Sequence, residues 1–122
     1  MKYIFIILTI LTTAYGQLIM KYEINKIGQI PTDSINSMLS YFVKSVSNIG
    51  IISGMLALVI STFTWMAAIS KFDLSTAYPI MSINFILIPF LSVFLLNESF
   101  NFFKLAGVIV IIIGIIIFSK GM

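Results

Sequence analysis

The sequence predicts an all-α membrane protein, a single domain over residues 1–122 with four transmembrane helices, and three observations predict it. The first is composition: 60% of the 122 residues are hydrophobic and 9% are charged, with a mean hydropathy of +1.14. A soluble domain carries about 45–50% apolar and about 25% charged residues, so seven lysines and four acids are too few to solvate a globule of this size. The second is the placement of those charges, which leaves four long uncharged runs. The third is what is missing. With no Cys, no His and only four acids, the chain has no disulfide, no thiolate nucleophile, no His-based catalytic triad and no metal-ligand cluster. It also lacks a phosphate-binding glycine loop or other nucleotide motif. No cofactor, metal or nucleic-acid partner is expected, and no enzymatic activity.

The uncharged runs are 3–20, 45–70, 74–97 and 105–119. A hydrocarbon core about 30 Å thick needs roughly 20 apolar residues as a helix, and in lipid the backbone must satisfy its own hydrogen bonds. Spans are therefore expected near 3–20, 48–70, 75–97 and 101–119. The last reaches full length when Phe102 and Phe103 join it and Lys104 extends its ammonium to the interface.

The first span also has features of a signal peptide: Lys2, a short apolar stretch and Ala14-Tyr15-Gly16 with small residues at the cleavage spacing. The apolar run continues through Leu18, Ile19 and Met20, so a retained span is the expectation. Thr13, Gln17 and Lys21 are spaced i, i+4, i+8 and share one face. Gln17 is costly to expose to lipid and should face protein or water.

Residues 21–47 form the one long polar connection. Lys21, Glu23, Asn25, Lys26, Gln29, Pro31, Thr32 and Asp33 make its first half loop-like. Ile35, Met38, Leu39 and Phe42 then recur at helical spacing, with Asp33 or Ser34 as N-cap. This amphipathic segment reads as a short interfacial helix or a watery extension of the second span, ahead of a gating role. The remaining connections are short, so consecutive spans are antiparallel neighbours.

In the second span Gly50, Gly54, Ala57 and Ser61 form a small-residue stripe suited to close helix packing. Ser61, Thr64, Trp65 and Ala68 line one face, and Trp65 lies near the span's end, where an interfacial aromatic anchor is the simplest role. The third span is the richest. Tyr78 and Ser82 are one turn apart, Asn84 lies near the middle, and Pro79 falls in the first turns. Pro89 cannot donate to the carbonyl of Phe85, which predicts a kink there and a polar pocket beside Ser82 and Asn84. The fourth span is apolar except for Ser119, and Gly107 and Gly114 mark a packing seam between helices or subunits.

Four spans put both termini on one side with Lys2, Lys71 and Lys120, against Lys21, Lys26, Lys44 and Lys104 opposite. A difference of one lysine barely directs insertion. A fixed orientation set by this weak bias and insertion both ways, or pairing with an oppositely oriented partner, both remain open. No Asp, Glu, Lys or Arg lies mid-membrane, so the chain has no group to relay protons.

Ala14-Tyr15-Gly16-Gln17-Leu18-Ile19-Met20-Lys21 is similar to an A-G-Q-L-x-x-K stretch. Ala77-Tyr78-Pro79-Ile80-Met81-Ser82-Ile83-Asn84-Phe85 is similar to A-Y-P-x-x-S-x-N-F, and Glu98, Gly107 and Gly114 fit E-x8-G-x6-G. With four spans in this length, the chain resembles the small multidrug resistance transporters of the drug/metabolite transporter superfamily. It resembles more closely the paired small subunits that flip aminoarabinose-phosphoundecaprenol across the bacterial inner membrane in lipopolysaccharide modification. The matching segments cover about half of the chain, and the helix 3 motif is the most specific of them. Thr13 stands where the drug exporters have an essential Glu, which speaks against proton-coupled export of cationic drugs.

The resemblance implies a dimer packed through the fourth span, homomeric and possibly antiparallel, or heteromeric with a similar small subunit. It implies a polyprenyl-phosphate-linked sugar as cargo and the inner membrane as location. Thr13, Gln17, Trp65, Tyr78, Ser82 and Asn84 are then the expected substrate-binding residues, with Lys21 meeting the phosphate. Lys71 and Lys104 are weaker phosphate candidates, and Glu98 is a candidate for an amino group. Gly50, Gly54, Gly107 and Gly114 are the expected packing or dimer positions. A small-solute or drug exporter without the usual carboxylate, and a non-transporting scaffold subunit, are the rival functions.

Overall fold

The computed structural model describes all 122 residues. It is wholly helical in its regular structure: α1 (Ile4–Ile27), α2 (Ile35–Val46), α3 (Ile49–Ile69), α4 (Leu74–Met81), α5 (Asn84–Leu95) and α6 (Phe102–Ser119). Four helical stretches are long and apolar enough to cross a membrane: α1, α3, Leu74–Leu95 taken together, and α6. The chain is thus a multi-pass membrane protein, as the charge spacing predicts.

The first helix departs from its expected length. It continues seven residues past Met20 to Ile27. Local pairing explains the extension of a segment that reads as loop. Lys26 Nζ lies 3.9 Å from Glu23 Oε1, one turn back, and 4.2 Å above the Tyr22 ring, both at helical spacings that support the backbone. Gly28 ends the helix at φ 105°, and its N–H donates to the Ile24 carbonyl. Ser34 caps α2 by accepting from the Ser37 N–H, and the Tyr41 hydroxyl ties α2 back to the Gly28 carbonyl at 2.8 Å. The apolar side of α2 is bare, with Ile35, Leu39, Phe42 and Val43 all exposed.

Helices α1 and α3 pack along their whole length. Gly16 and Gly54 set their closest approach: a Cβ on Gly16 would lie 2.9 Å from the Gly54 carbonyl oxygen, and one on Gly54 would lie 3.0 Å from the Gly16 carbonyl oxygen. Gly50 makes room for the Glu23 side chain, and Asn48 Nδ2 donates to Glu23 Oε2 at 3.0 Å. Thr9 and Thr64 meet oxygen to oxygen at 2.8 Å, and Thr13 hydrogen-bonds Ser61. The small-residue stripe of the second span is therefore an intrachain seam.

The apolar core lies at the end that carries the termini. Ile6, Ile10, Ala68 and Ala77 are buried together, with Phe5, Trp65, Phe72 and Met81 against them. Lys2 and Lys71 sit over the aromatic rings of Tyr3, Phe72 and Phe5 at this end. Helix α6 lies against α4 and α5 and buries none of its residues. A Cβ on Gly107 or Gly114 would meet nothing within 4 Å.

The third span breaks, but not where Pro89 alone predicts. Helix α5 runs through Pro89, and α4 runs through Pro79, which is its sixth residue and so past the first turn. The interruption falls at Ser82–Ile83, between the two prolines. There the bonding tightens to three-residue steps, from Ile83 N–H to the Ile80 carbonyl and from Phe85 N–H to the Ser82 carbonyl. The Asn84 N–H and the Met81 carbonyl take no backbone partner. Each proline frees the carbonyl four residues before it, Ser75 for Pro79 and Phe85 for Pro89, whereas at the break itself the Ser82 hydroxyl turns back to the Pro79 carbonyl, a bond that bends helices.

Candidate polar groove

Three adjoining cavities share their walls along the flank of α1. The central one, about 370 Å3, lies between α1 and the α4–α5 break, and Thr13, Gln17, Tyr78, Ser82 and Asn84 all line it. Helix periodicity puts Thr13 and Gln17 on one side, and the interruption brings Tyr78, Ser82 and Asn84 to the other. Toward the terminal end a second cavity, about 250 Å3, is lined by Thr9, Thr13, Ser61, Thr62, Trp65 and Tyr78 among others. Toward the opposite end a third, about 550 Å3, lies between α1, α5 and α6. It gathers Gln17, Lys21, Ser92, Glu98, Ser99 and Lys104, with Gly107 in its wall. Gln17 is common to the central and third cavities, and Thr13 and Tyr78 to the central and second. The stripe Thr13–Gln17–Lys21 therefore lies along this row of adjoining cavities, a groove that its polar side chains mark at intervals.

The polar groups in this groove differ in what they have left to offer. Thr13 is hydrogen-bonded to Ser61, and the Ser82 hydroxyl donates to the Pro79 carbonyl, so both are partly committed to the fold. Gln17 and the Tyr78 hydroxyl have no protein partner. Asn84 is more extreme, because both its Oδ1 and its Nδ2 are buried and neither has a hydrogen-bond partner. Trp65 packs edge-on against Tyr78, with ring centroids 5.3 Å apart, and against the core. It forms part of the wall of the second cavity.

At the wide end the charges are separate. Lys104 Nζ donates to the Ser99 carbonyl at 2.8 Å, and its N–H is capped by Asn101. Lys21 and Lys104 form no ion pair with Glu98, although all three line one cavity. Lys71 is remote from it, beside Phe5 at the terminal end. Thr62, Ser92 and Ser99 are lining residues that the sequence pattern does not single out, and Ser61, expected in the packing stripe, also lines the second cavity. Helical spacing from Trp65 could have found Thr62, but Ser99 lies in a connection and no pattern marks it. On the neighbouring flank of α1 an apolar cavity of about 510 Å3 is walled entirely by hydrophobic residues, including Leu11, Tyr15, Leu18, Leu91 and Leu96. Leu18 and Leu96 divide it from the wide end of the polar groove.

The chain is similar to proteins of known family. A protein of Enterobacter sp. (strain 638) named "Probable 4-amino-4-deoxy-L-arabinose-phosphoundecaprenol flippase subunit ArnF" is 29% identical, over 96% of this chain and 93% of that protein. One of the same name from Pseudomonas fluorescens (strain Pf0-1) is 30% identical, over 93% of this chain and 83% of its own length. The corresponding ArnE subunit of Proteus mirabilis (strain HI4320) is 25% identical, over 98% of this chain and 97% of its own. No solved structure matches. The model of the EamA-like transporter family matches residues 37–120, which take in α2 through α6 and so most of the groove. The chain belongs to the EamA-like transporter family.

Proposed function

We propose that this protein is a subunit of a bacterial inner-membrane flippase that moves a polyprenyl-phosphate-linked amino sugar between leaflets. The observation that carries the reading is the polar groove, neutral at mid-depth and charged only at one end, beside an apolar one. That pairing suits an amphiphile whose head must be sheltered from hydrocarbon while its chain stays in it. The names of the ArnF and ArnE relatives support the same cargo class.

In this reading Lys21 and Lys104 meet the phosphate as point charges at the wide end, and Glu98, unpaired in the same cavity, receives the ammonium of the amino sugar. Gln17 and Tyr78 hold the sugar as it passes. Thr13, Ser82 and Trp65 shape the path. No acid lies at mid-depth to couple protons, so net movement follows the gradient set by synthesis on one face and use on the other. Helix α6, bare within the subunit, packs against a second small subunit through Gly107 and Gly114.

Reconstitution in liposomes tests this. The protein should translocate polyprenyl-phosphate amino sugar and should not move a quaternary ammonium drug against a proton gradient. Lys21→Ala should slow lipid translocation by about tenfold, the loss of one charge-assisted contact. Drug transport, or lipid movement no faster than in empty liposomes, would refute the reading.

A further inference from the structure

Asn84 is the polar side chain that the fold leaves least explained. Its amide oxygen and nitrogen are both buried and both unpartnered. A buried polar group without a hydrogen bond costs free energy, and such a group in a native fold calls for an explanation in function or in an unseen partner. Three further observations concern the same place. Asn84 is the first residue of α5, its own N–H takes no backbone partner, and the Met81 carbonyl across the break is also free. Its side chain lines the central cavity of the groove. Polar backbone at mid-membrane depth is tolerated where it lines a cavity, and interrupted helices of this kind build substrate sites near the bilayer midplane.

We infer that Asn84 is the residue that reads the sugar of the cargo, through a pair of adjacent neutral hydroxyls. An amide offers one acceptor and two donors side by side. Two neighbouring hydroxyls on a sugar ring present the complementary set, one donating to Oδ1 and the other accepting from Nδ2. The ligand group must be neutral, because no charged residue lines this cavity. The cargo's phosphate and ammonium instead belong with Lys21, Lys104 and Glu98 at the wide end. Gln17 lies between the two cavities and passes hydroxyls from one to the other. An apolar residue at position 84 would remove the orphaned amide and the recognition together, so stability and selectivity should move in opposite directions. The inference rests on the flippase reading, and its test separates the two.

The test uses Trp65, the one tryptophan of the chain, which touches Tyr78 in the wall of this cavity and so reports on its occupancy. The whole protein in nanodiscs is titrated with polyprenyl phosphate bearing an amino sugar and, separately, with the same polyprenyl phosphate without sugar. The wild type should bind the sugar-bearing lipid about tenfold more tightly, the worth of one well-formed pair of hydrogen bonds. Asn84→Leu and Asn84→Ala should bind both lipids alike, and Asn84→Leu should melt no lower than the wild type. Retained discrimination in both variants overturns the role of Asn84 and leaves the flippase reading standing. A lower melting temperature in both variants also overturns it, because the amide would then be holding the fold. If the wild type binds neither lipid, the flippase reading fails and this inference with it.

Discussion

The two halves of this bundle are built to different standards. Between α1 and α3, glycines bring backbones nearly into contact, and hydroxyl pairs and an Asn–Glu bond cross the seam. Around α4, α5 and α6 the side chains are loosely enclosed. The helix of the third span is interrupted, and α6 buries nothing. In lipid there is no hydrophobic force to press helices together, so close packing and interhelical hydrogen bonds must do it. The first pair has both. The second group has no interhelical hydrogen bonds and packs closely only where Ala77 of α4 enters the core, and the polar groove opens between the two. A closely packed pair thus provides one wall of the groove, and loosely packed helices provide the other.

Breaking the closely packed half should give the largest effect. Gly16→Val places a Cβ 2.9 Å from the Gly54 carbonyl oxygen and 2.9 Å from the Leu58 side chain. The leucine can turn aside, but the backbone oxygen cannot. Overpacking of this kind costs about 1–3 kcal/mol, and with backbone as the obstacle the upper end is expected. Reversible unfolding in mixed micelles, followed by helical circular dichroism, measures it. An unchanged midpoint would mean that the seam is not the closely packed element.

A smaller loss is expected where the seam meets water. Glu23 is only 14% exposed, accepts from Asn48 and fills the space over Gly50. Glu23→Ala leaves the Asn48 amide without its partner, and a hydrogen bond to a charged group is worth about 1.5–3 kcal/mol. Partial access to water puts the expected cost near the lower figure. The pair with Lys26, whose side chain is 58% exposed, adds little. Lys26→Ala in the same unfolding assay should therefore shift the midpoint much less than Glu23→Ala.

The same contrast explains what was legible in the sequence. Spans are set by where charge cannot go, so eleven charges placed all four. The seam was legible as Gly50, Gly54, Ala57 and Ser61 because close packing needs small residues at helical spacing. Its partner Gly16 carried no such stripe of its own. The groove was legible as a stripe of polar types, since Thr13, Gln17, Tyr78, Ser82 and Asn84 do line one cavity. Which of them are free was not legible, because the Thr13–Ser61 bond joins two helices whose register periodicity does not give, and a serine such as Ser82 can either face the cavity or turn back to its own backbone. The end of α1 is harder to place from sequence because Glu23 and Lys26 look like loop residues singly and support a helix as a pair one turn apart, with Lys26 also over Tyr22. The break falls at Ser82–Ile83, where the Ser82 hydroxyl bends back to the Pro79 carbonyl, whereas Pro89 considered alone points to Phe85.

The smallest effect on the subunit should come from the loose half, and it sharpens the contrast most. Gly114 sits mid-helix on α6, and a Cβ there meets nothing within 4 Å. Gly114→Leu therefore has no intrachain clash to relieve, and leucine favours helix over glycine by somewhat under about 1 kcal/mol. Unfolding of the dilute monomer should be unchanged or slightly harder, the opposite sign to Gly16→Val. If α6 is where a second subunit packs, the bulk that is harmless within the chain must be felt between chains. Analytical ultracentrifugation in detergent should then show dimer lost at concentrations where the wild type associates. Loss of monomer stability would instead mean that α6 is packed within the subunit, and the division into a closely packed and a loosely packed half would fail. An unchanged dimer would leave the division intact but move the second subunit to another face.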